Sequence, residues 1–196
     1  MDKQEDNLYT LLPLKNFKAL ANKDDRDDEL SRYYLEASTT RIEKYCNRWL
    51  IRKRLIENID FYGNLLLPLK EYPVNKVISL FANQEIVELE FYDVIPDCGF
   101  AEDVPFYISL SPAFRRYKNV KTFKVMYWAG YRQRKIPADL ASACLELTVW
   151  NFNRCKGQRF GMTGNIRGSG KDGEHFEIEM PENVKSLLEP YRRKVI

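Results

Sequence analysis

Three groups of residues in this sequence are of types that could do chemistry. Gly168 to Gly173, GSGKDG, reads as G-x-G-x-x-G with Lys171 inside it to invite a phosphate. A dinucleotide site needs such glycines between a strand and a helix, so that backbone N–H groups and the helix N-terminus face the pyrophosphate. Here more glycines precede and the β-like HFEIE follows, which is the wrong setting. A P-loop fails too, because Asn165 stands where its first glycine belongs and Asp172 where its Ser or Thr does. The single histidine, His175, has no partner for a His pair or HExxH zinc motif, and a Ser-His-acid triad would have to use this one imidazole beside a glycine-rich loop. Surface exposure is its expected fate. The four cysteines, Cys46, Cys98, Cys144 and Cys155, contain no CxxC and read as reduced, mostly buried thiols. No enzyme activity, no metal and no cofactor is expected.

The distribution of charge is more specific. Net charge is only +3 over 196 residues, but Glu85 to Asp103 holds seven acidic residues and no basic one, while Pro112 to Lys135 holds eight basic residues and no acidic one. The simplest use, and the preferred one, is pairing within one molecule, where opposite charges across strands contribute about 0.2–1 kcal/mol per pair and neighbouring segments usually meet. The sharper use sets Glu85, Glu88, Glu90 and Asp93 of one subunit against Arg115, Arg116, Lys118, Lys121 and Lys124 of the next. Such a head-to-tail contact closes into a ring where the rotation allows. A third use makes residues 112–135 a nucleic-acid-binding module, with Arg115, Arg116 and Tyr117 as grip, although no recognised binding motif is present.

These residues must be held by a folded chain. Apolar residues make 44% and aromatics 13%, which is ample for a core. No apolar run approaches the ~18 residues of a membrane span, and MDKQEDNLYT lacks the basic and apolar regions of a signal peptide, so no membrane contact is expected and the chain should stay in the cytosol where it is made. Asp24 to Trp49 opens acidic and then places Leu30, Tyr34, Leu35, Ile42, Tyr45 and Trp49 near helical spacing, predicting a long amphipathic helix. A shorter helix is expected over Asn16 to Asn22, behind Pro13. From Leu50 to Trp128 the period becomes two: Leu55, Ile59 and Phe61 alternate with polar residues, as do Val87, Leu89 and Phe91. Prolines at 73, 96, 105 and 112 mark turns or strand starts. Pro137 then opens a helix with Leu140, Ala143, Leu147 and Trp150 on one side, which Gly157 stops. Residues 157–173 hold six of the nine glycines and predict a flexible loop carrying Arg159, Arg167 and Lys171. A short strand at HFEIE and a brief helix between Pro181 and Pro190 complete the chain. The fold class is α+β, a mainly helical core with a β-rich insertion between its long helices.

The order of these pieces resembles the head-tail connector, or adaptor and head completion, proteins of tailed bacteriophages. The matching features are DDRDDELSRYYLEASTTRIEKYCNRWL as first helix, LLLPLKEYPVNKVISL as strand entry, a β segment ending in YWAGY, Pro-Ala-Asp-Leu opening a helix with Trp150 and Arg154 near its end, a glycine-rich loop, and MPENVKSLLEPYRRKVI at the terminus. The resemblance spans nearly the whole chain, with a β insertion longer than in compact members. It implies one connector domain over residues 1–196: a helical part to 49, the insertion at 50–131, a second helix at 132–156, the loop at 157–173, and a strand, helix and docking tail at 174–196. It further implies a virion protein assembled in the bacterial cytoplasm, as twelve copies in a ring that extends the DNA channel. Its partners would be itself, the portal, the next neck or tail protein, and DNA passing without its sequence being read. Docking on the portal would fall by position to Leu187, Leu188, Tyr191, Arg192, Arg193, Lys194, Val195 and Ile196. Trp128, Gly130, Tyr131, Pro137 and Trp150 are expected to form the joint between insertion and helices.

Overall fold

The structure, a computed structural model, describes residues 9–22, 28–96, 106–112, 120–156 and 180–193. The chain divides into two compact units, one of residues 1–47 with 136–196 and one of residues 48–135.

The first unit is helical. Helix α1, Leu14–Ala21, starts at Pro13 and ends where Asn22 turns left-handed, and α2 spans Asp28–Cys46 with Asp28 and Glu29 at its positive end. Helix α3, Ala138–Lys156, follows Pro137, whose carbonyl accepts the Ala141 N–H at 3.1 Å. Helix α4, Glu182–Leu188, follows Pro181 and runs into a 3-10 turn, Glu189–Tyr191, that begins just before Pro190. The α2 helix stops three residues short of the expected Trp49. Asn47 adopts the left-handed conformation that closes a helix, and Trp49 stands 43% exposed beyond it. The buried face of α2 is Ser31, Tyr34, Leu35, Ser38, Thr39, Ile42, Glu43 and Cys46, a continuous 3-4 repeat that hydrophobicity alone understates because half of it is polar. Those small polar residues let α3 come close: Ser38 Oγ accepts from Asn151 Nδ2 at 3.2 Å, and Thr39 Oγ1 lies 3.8 Å from Cys144 Sγ while accepting the Leu11 N–H at 3.1 Å. Leu35, Ile42, Leu140, Ala143, Leu147, Phe152, Val184 and Leu188 fill the space between, all fully buried.

The second unit is two antiparallel sheets. Strands β1 (Lys53–Asp60), β3 (Val74–Ala82), β4 (Glu85–Val87) and β7 (Thr122–Ala129) form one, in the order β1-β7-β3-β4. Strands β2 (Leu66–Leu69), β5 (Tyr92–Pro96) and β6 (Phe106–Leu110) form the other, in the order β2-β6-β5. Period-two alternation points Leu80, Phe123, Val125 and Tyr127 from one sheet, and Leu67, Leu69, Ile108 and Leu110 from the other, into one cluster. This corrects the expectation of a mainly helical core: the β part owns a core as real as that of the helices, because seven strands of alternating pattern bury enough apolar surface by themselves. The strand expected over Val87 to Phe91 is also interrupted. After Val87 the chain makes a 3-10 turn, Leu89–Phe91, and Leu89 is left 76% exposed.

Gly130 ends β7 at φ +97°, and a Cβ there would lie 2.7 Å from the carbonyl carbon and oxygen of Ile51. Both the conformation and the space exclude a side chain. Gly130→Val is therefore expected to lower unfolding stability by roughly 2–5 kcal/mol, read from the urea midpoint of the full chain; a midpoint like the parent's would contradict this packing.

Candidate interaction surfaces

Within the β unit, the YWAGY stretch is tied down by its own neighbours. Gly130 N–H donates to the Pro73 carbonyl at 3.0 Å, Tyr131 N–H to that of Leu50 at 2.7 Å, and Tyr131 O receives the Arg52 N–H at 2.9 Å. The Tyr131 hydroxyl accepts from Arg48 Nη2 at 3.4 Å, while the buried Arg48 guanidinium lies 3.8 Å from the Tyr72 ring centre. Trp128 is half-buried with the Arg52 guanidinium 4.5 Å from its ring. Arg132, Arg134 and Lys135 are exposed, as their charge requires.

Beneath this stretch sits a polar relay that the sequence did not announce. The fully buried Tyr127 donates its hydroxyl to Glu57 Oε2 at 2.7 Å and accepts the Glu71 N–H at 3.3 Å. Glu71 Oε2 in turn takes the Trp49 N–H at 2.9 Å, and Glu57 Oε2 also takes the Lys70 N–H at 3.2 Å. Burial, reinforced by the Glu57 charge, holds the Tyr127 phenol well above its ordinary range.

In the helical unit, α4 spends its apolar residues inside. Val184, Leu188 and Tyr191 recur at helical spacing and are buried, so Leu188 and Tyr191 are corrected from partner anchors to core residues. The residues from Glu189 to Arg193 are held here as well: Arg193 N–H donates to the Cys46 carbonyl at 2.8 Å, Tyr45 donates to Glu189 Oε2 at 3.3 Å, and the exposed Arg192 guanidinium lies 5.4 Å from the Tyr45 ring centre. Leu187 is half-buried. Trp150 is half-buried between two cations, with Arg154 at 4.5 Å and Arg41 at 5.5 Å from its ring centre. Buried Cys144 is an inert thiol, pushed up to about 11 by desolvation.

Among the described residues the charged blocks do not pair with each other. Among the described residues Glu85, Glu88, Glu90, Asp93, Lys121 and Lys124 are all exposed and none enters an ion pair. Arg115, Arg116, Tyr117 and Lys118 lie outside the described residues, as do Arg159, Arg167, Lys171, His175, the GSGKDG loop, HFEIE, Cys98, Lys194, Val195 and Ile196. Among the described residues no group of three or more His, Cys, Asp or Glu is placed to hold a metal, and no helix is long and apolar enough to cross a membrane.

Sequence reasoning also passed over Ile56, Met126 and Ile78, which point away from the β core with Ile56 59% exposed. The run Val125-Met126-Tyr127-Trp128 carried the signal, since apolar residues on both parities of a strand mean that both faces have something to cover.

The sequence profile of the head completion protein family matches residues 7–194. No curated protein matches the chain. In fold the chain is similar to one from the neck of an empty gene transfer agent particle with C6 symmetry, at 18% identity and a TM-score of 0.62 over 95% of this chain and 91% of that one. It is similar to a chain of the virion of the native gene transfer agent particle at 19% identity and 0.60, over 95% and 91%. A chain from the neck of the native particle with C12 symmetry gives 19% and 0.58, over 97% and 96%.

Tyr127→Phe should cost about 1–2 kcal/mol by leaving the nearly buried Glu57 carboxylate short of a donor, measured by urea unfolding at neutral pH. Because the folded phenol holds its proton above its ordinary pKa of 10.0, its contribution is complete below that value and declines as pH rises past it. The variant should therefore lose less stability than the parent above pH 10.0; equal losses would show that the relay does not hold the proton.

Proposed function

The chain belongs to the head completion protein family, and from that premise we propose that it is a non-enzymatic structural part of the virion neck, a ring-forming connector between the portal and the next neck or tail protein. The observation that carries this reading is the family match along almost the entire length, 7–194. Similarity of fold to a chain from a neck with C12 symmetry supports a ring of twelve copies. In that ring the chain extends the channel through which DNA passes, with no bond made or broken and no sequence read. Assembly takes place in the bacterial host's cytoplasm.

Portal docking falls to the end of the chain, but to less of it than the resemblance implies. With Leu188 and Tyr191 committed to the core, the described surface on offer is the exposed Arg192, and Lys194, Val195 and Ile196 keep the docking role that the resemblance implies. A guanidinium suits carboxylate or carbonyl acceptors on a partner. Portal docking should be measured by co-sedimentation of purified portal with the full chain, with a chain ending at Arg193, and with Arg192→Ala. Both variants should keep the parent's thermal midpoint and lose most of their docking. By contrast, Leu188→Ala should unfold the helical unit more easily, by about 2–5 kcal/mol. A chain ending at Arg193 that docks like the parent would contradict the site. Docking that instead tracked duplex DNA and collapsed steeply with salt would favour the nucleic-acid module over residues 112–135.

A further inference from the structure

The face of the β1-β7-β3-β4 sheet that points away from the core has a composition that internal packing does not explain. The strand register lays four rows across it: Arg54, Trp128 and Lys76; then Ile56, Met126 and Ser79, with Ile78 in the bulge beside them; then Asn58, Lys124, Phe81 and Ile86; and Asp60 with Thr122 at the end. Ile56, Ile78 and Ile86 are 59%, 39% and 65% exposed, and Arg54, Lys76 and Lys124 are exposed around them. Arg52 over the Trp128 ring adds another cation, and among these rows the one carboxylate is Asp60, in the end row away from Arg54 and Lys76. Contiguous apolar side chains on a pleated face, rimmed mainly by positive charge, mark a surface that is covered in use.

The complement of this face lies on the same chain. Between β4 and β5 the 3-10 turn thrusts out Glu88, Leu89 and Glu90, with Asp93 following, all exposed and Leu89 at 76%. Its chemistry is the inverse of the sheet's: one large aliphatic side chain flanked by carboxylates, against aliphatic side chains flanked by cations. Glu88, Glu90 and Asp93 find no ion-pair partner among the described residues of their own chain, nor does Lys124.

We propose that the open sheet face is the seat for a second copy of this chain, which lays its Glu88–Asp93 turn across it, Leu89 against Ile56 and Met126, and its carboxylates toward Arg54, Lys76 and Lys124. The inference rests on the ring reading above and names the surfaces that would build the ring. Because the two patches differ, the contact is heterologous, the type that generates closed rings rather than isologous dimers. The apolar centre holds the copies together, and the charges set register and partner choice.

Two full-length double variants test it, Arg54→Glu with Lys124→Glu, and Glu88→Lys with Glu90→Lys, each first shown by circular dichroism and thermal unfolding to fold like the parent. Ring formation is scored by native mass spectrometry and by electron microscopy of purified chain and of neck-bearing particles. Each variant alone should assemble less well than the parent by about tenfold or more, since like charges then face each other. Mixed in equal amounts they should recover, because alternating copies restore both contacts. Either folded variant assembling like the parent, or a mixture that does not recover, overturns the proposal while the ring reading stands. If Arg54→Glu with Lys124→Glu loses retention of duplex DNA while Glu88→Lys with Glu90→Lys assembles normally, the face grips nucleic acid and the proposal falls. If the parent itself forms no ring, in solution or in particles, the ring reading fails first and takes this inference with it.

Discussion

Strand β7 is the constraint on which the β unit depends. It is hydrogen-bonded along both edges, to β1 and to β3, and its Phe123, Val125 and Tyr127 are all fully buried. A slip of one residue in its pairing would drive Lys124, Met126 and Trp128 inward and turn three aromatic or branched side chains into water, so the register is strongly specified. The same register that builds the core also composes the opposite face. That is why a surface of cations and aliphatic side chains appears there in ordered rows rather than as scattered exposed residues. At its end, the backbone of Gly130 packs against that of Ile51, closer than any side chain allows, which fixes where the strand stops.

The helical unit reaches stability by a different route. Its inner surfaces use small and polar side chains, such as Ser38 and Thr39 of α2 against Asn151 and Cys144 of α3, so that two helices approach closely and satisfy their hydroxyls across the gap. Arg192 and Arg193 continue directly from the 3-10 turn packed against this unit, and Arg193 bonds back to the end of α2. Each unit thus carries its own core and its own exposed chemistry.

Much of this was legible in the residues. Prolines 137, 181 and 190 stand where helices begin or tighten, and the alternation of Leu55 with its polar neighbours marks β1. Other features needed three dimensions. Trp49 looked like one more turn of α2, but Asn47 prefers the left-handed conformation that ends it. Val87, Leu89 and Phe91 alternate like a strand, yet only Val87 belongs to one, because periodicity does not reveal where a chain must cross from one sheet to the other. Tyr191 in a basic terminal segment looked available to a partner, and only its place one helical step beyond Leu188 shows that it faces inward. The Glu57–Tyr127–Glu71 relay joins residues far apart in sequence, and no local pattern encodes it.

What emerges is a chain whose buried polar groups serve packing, and whose exposed cationic and aliphatic groups stand in ordered rows on one sheet face. The chain belongs to the head completion protein family along nearly its whole length, and its fold is shared with neck chains. The most direct test is electron cryomicroscopy of the necks of particles assembled with this chain. The account predicts a closed ring of its copies on the particle axis, adjoining the portal. Particles that are complete without it, or that hold it as a single off-axis copy, would contradict the account.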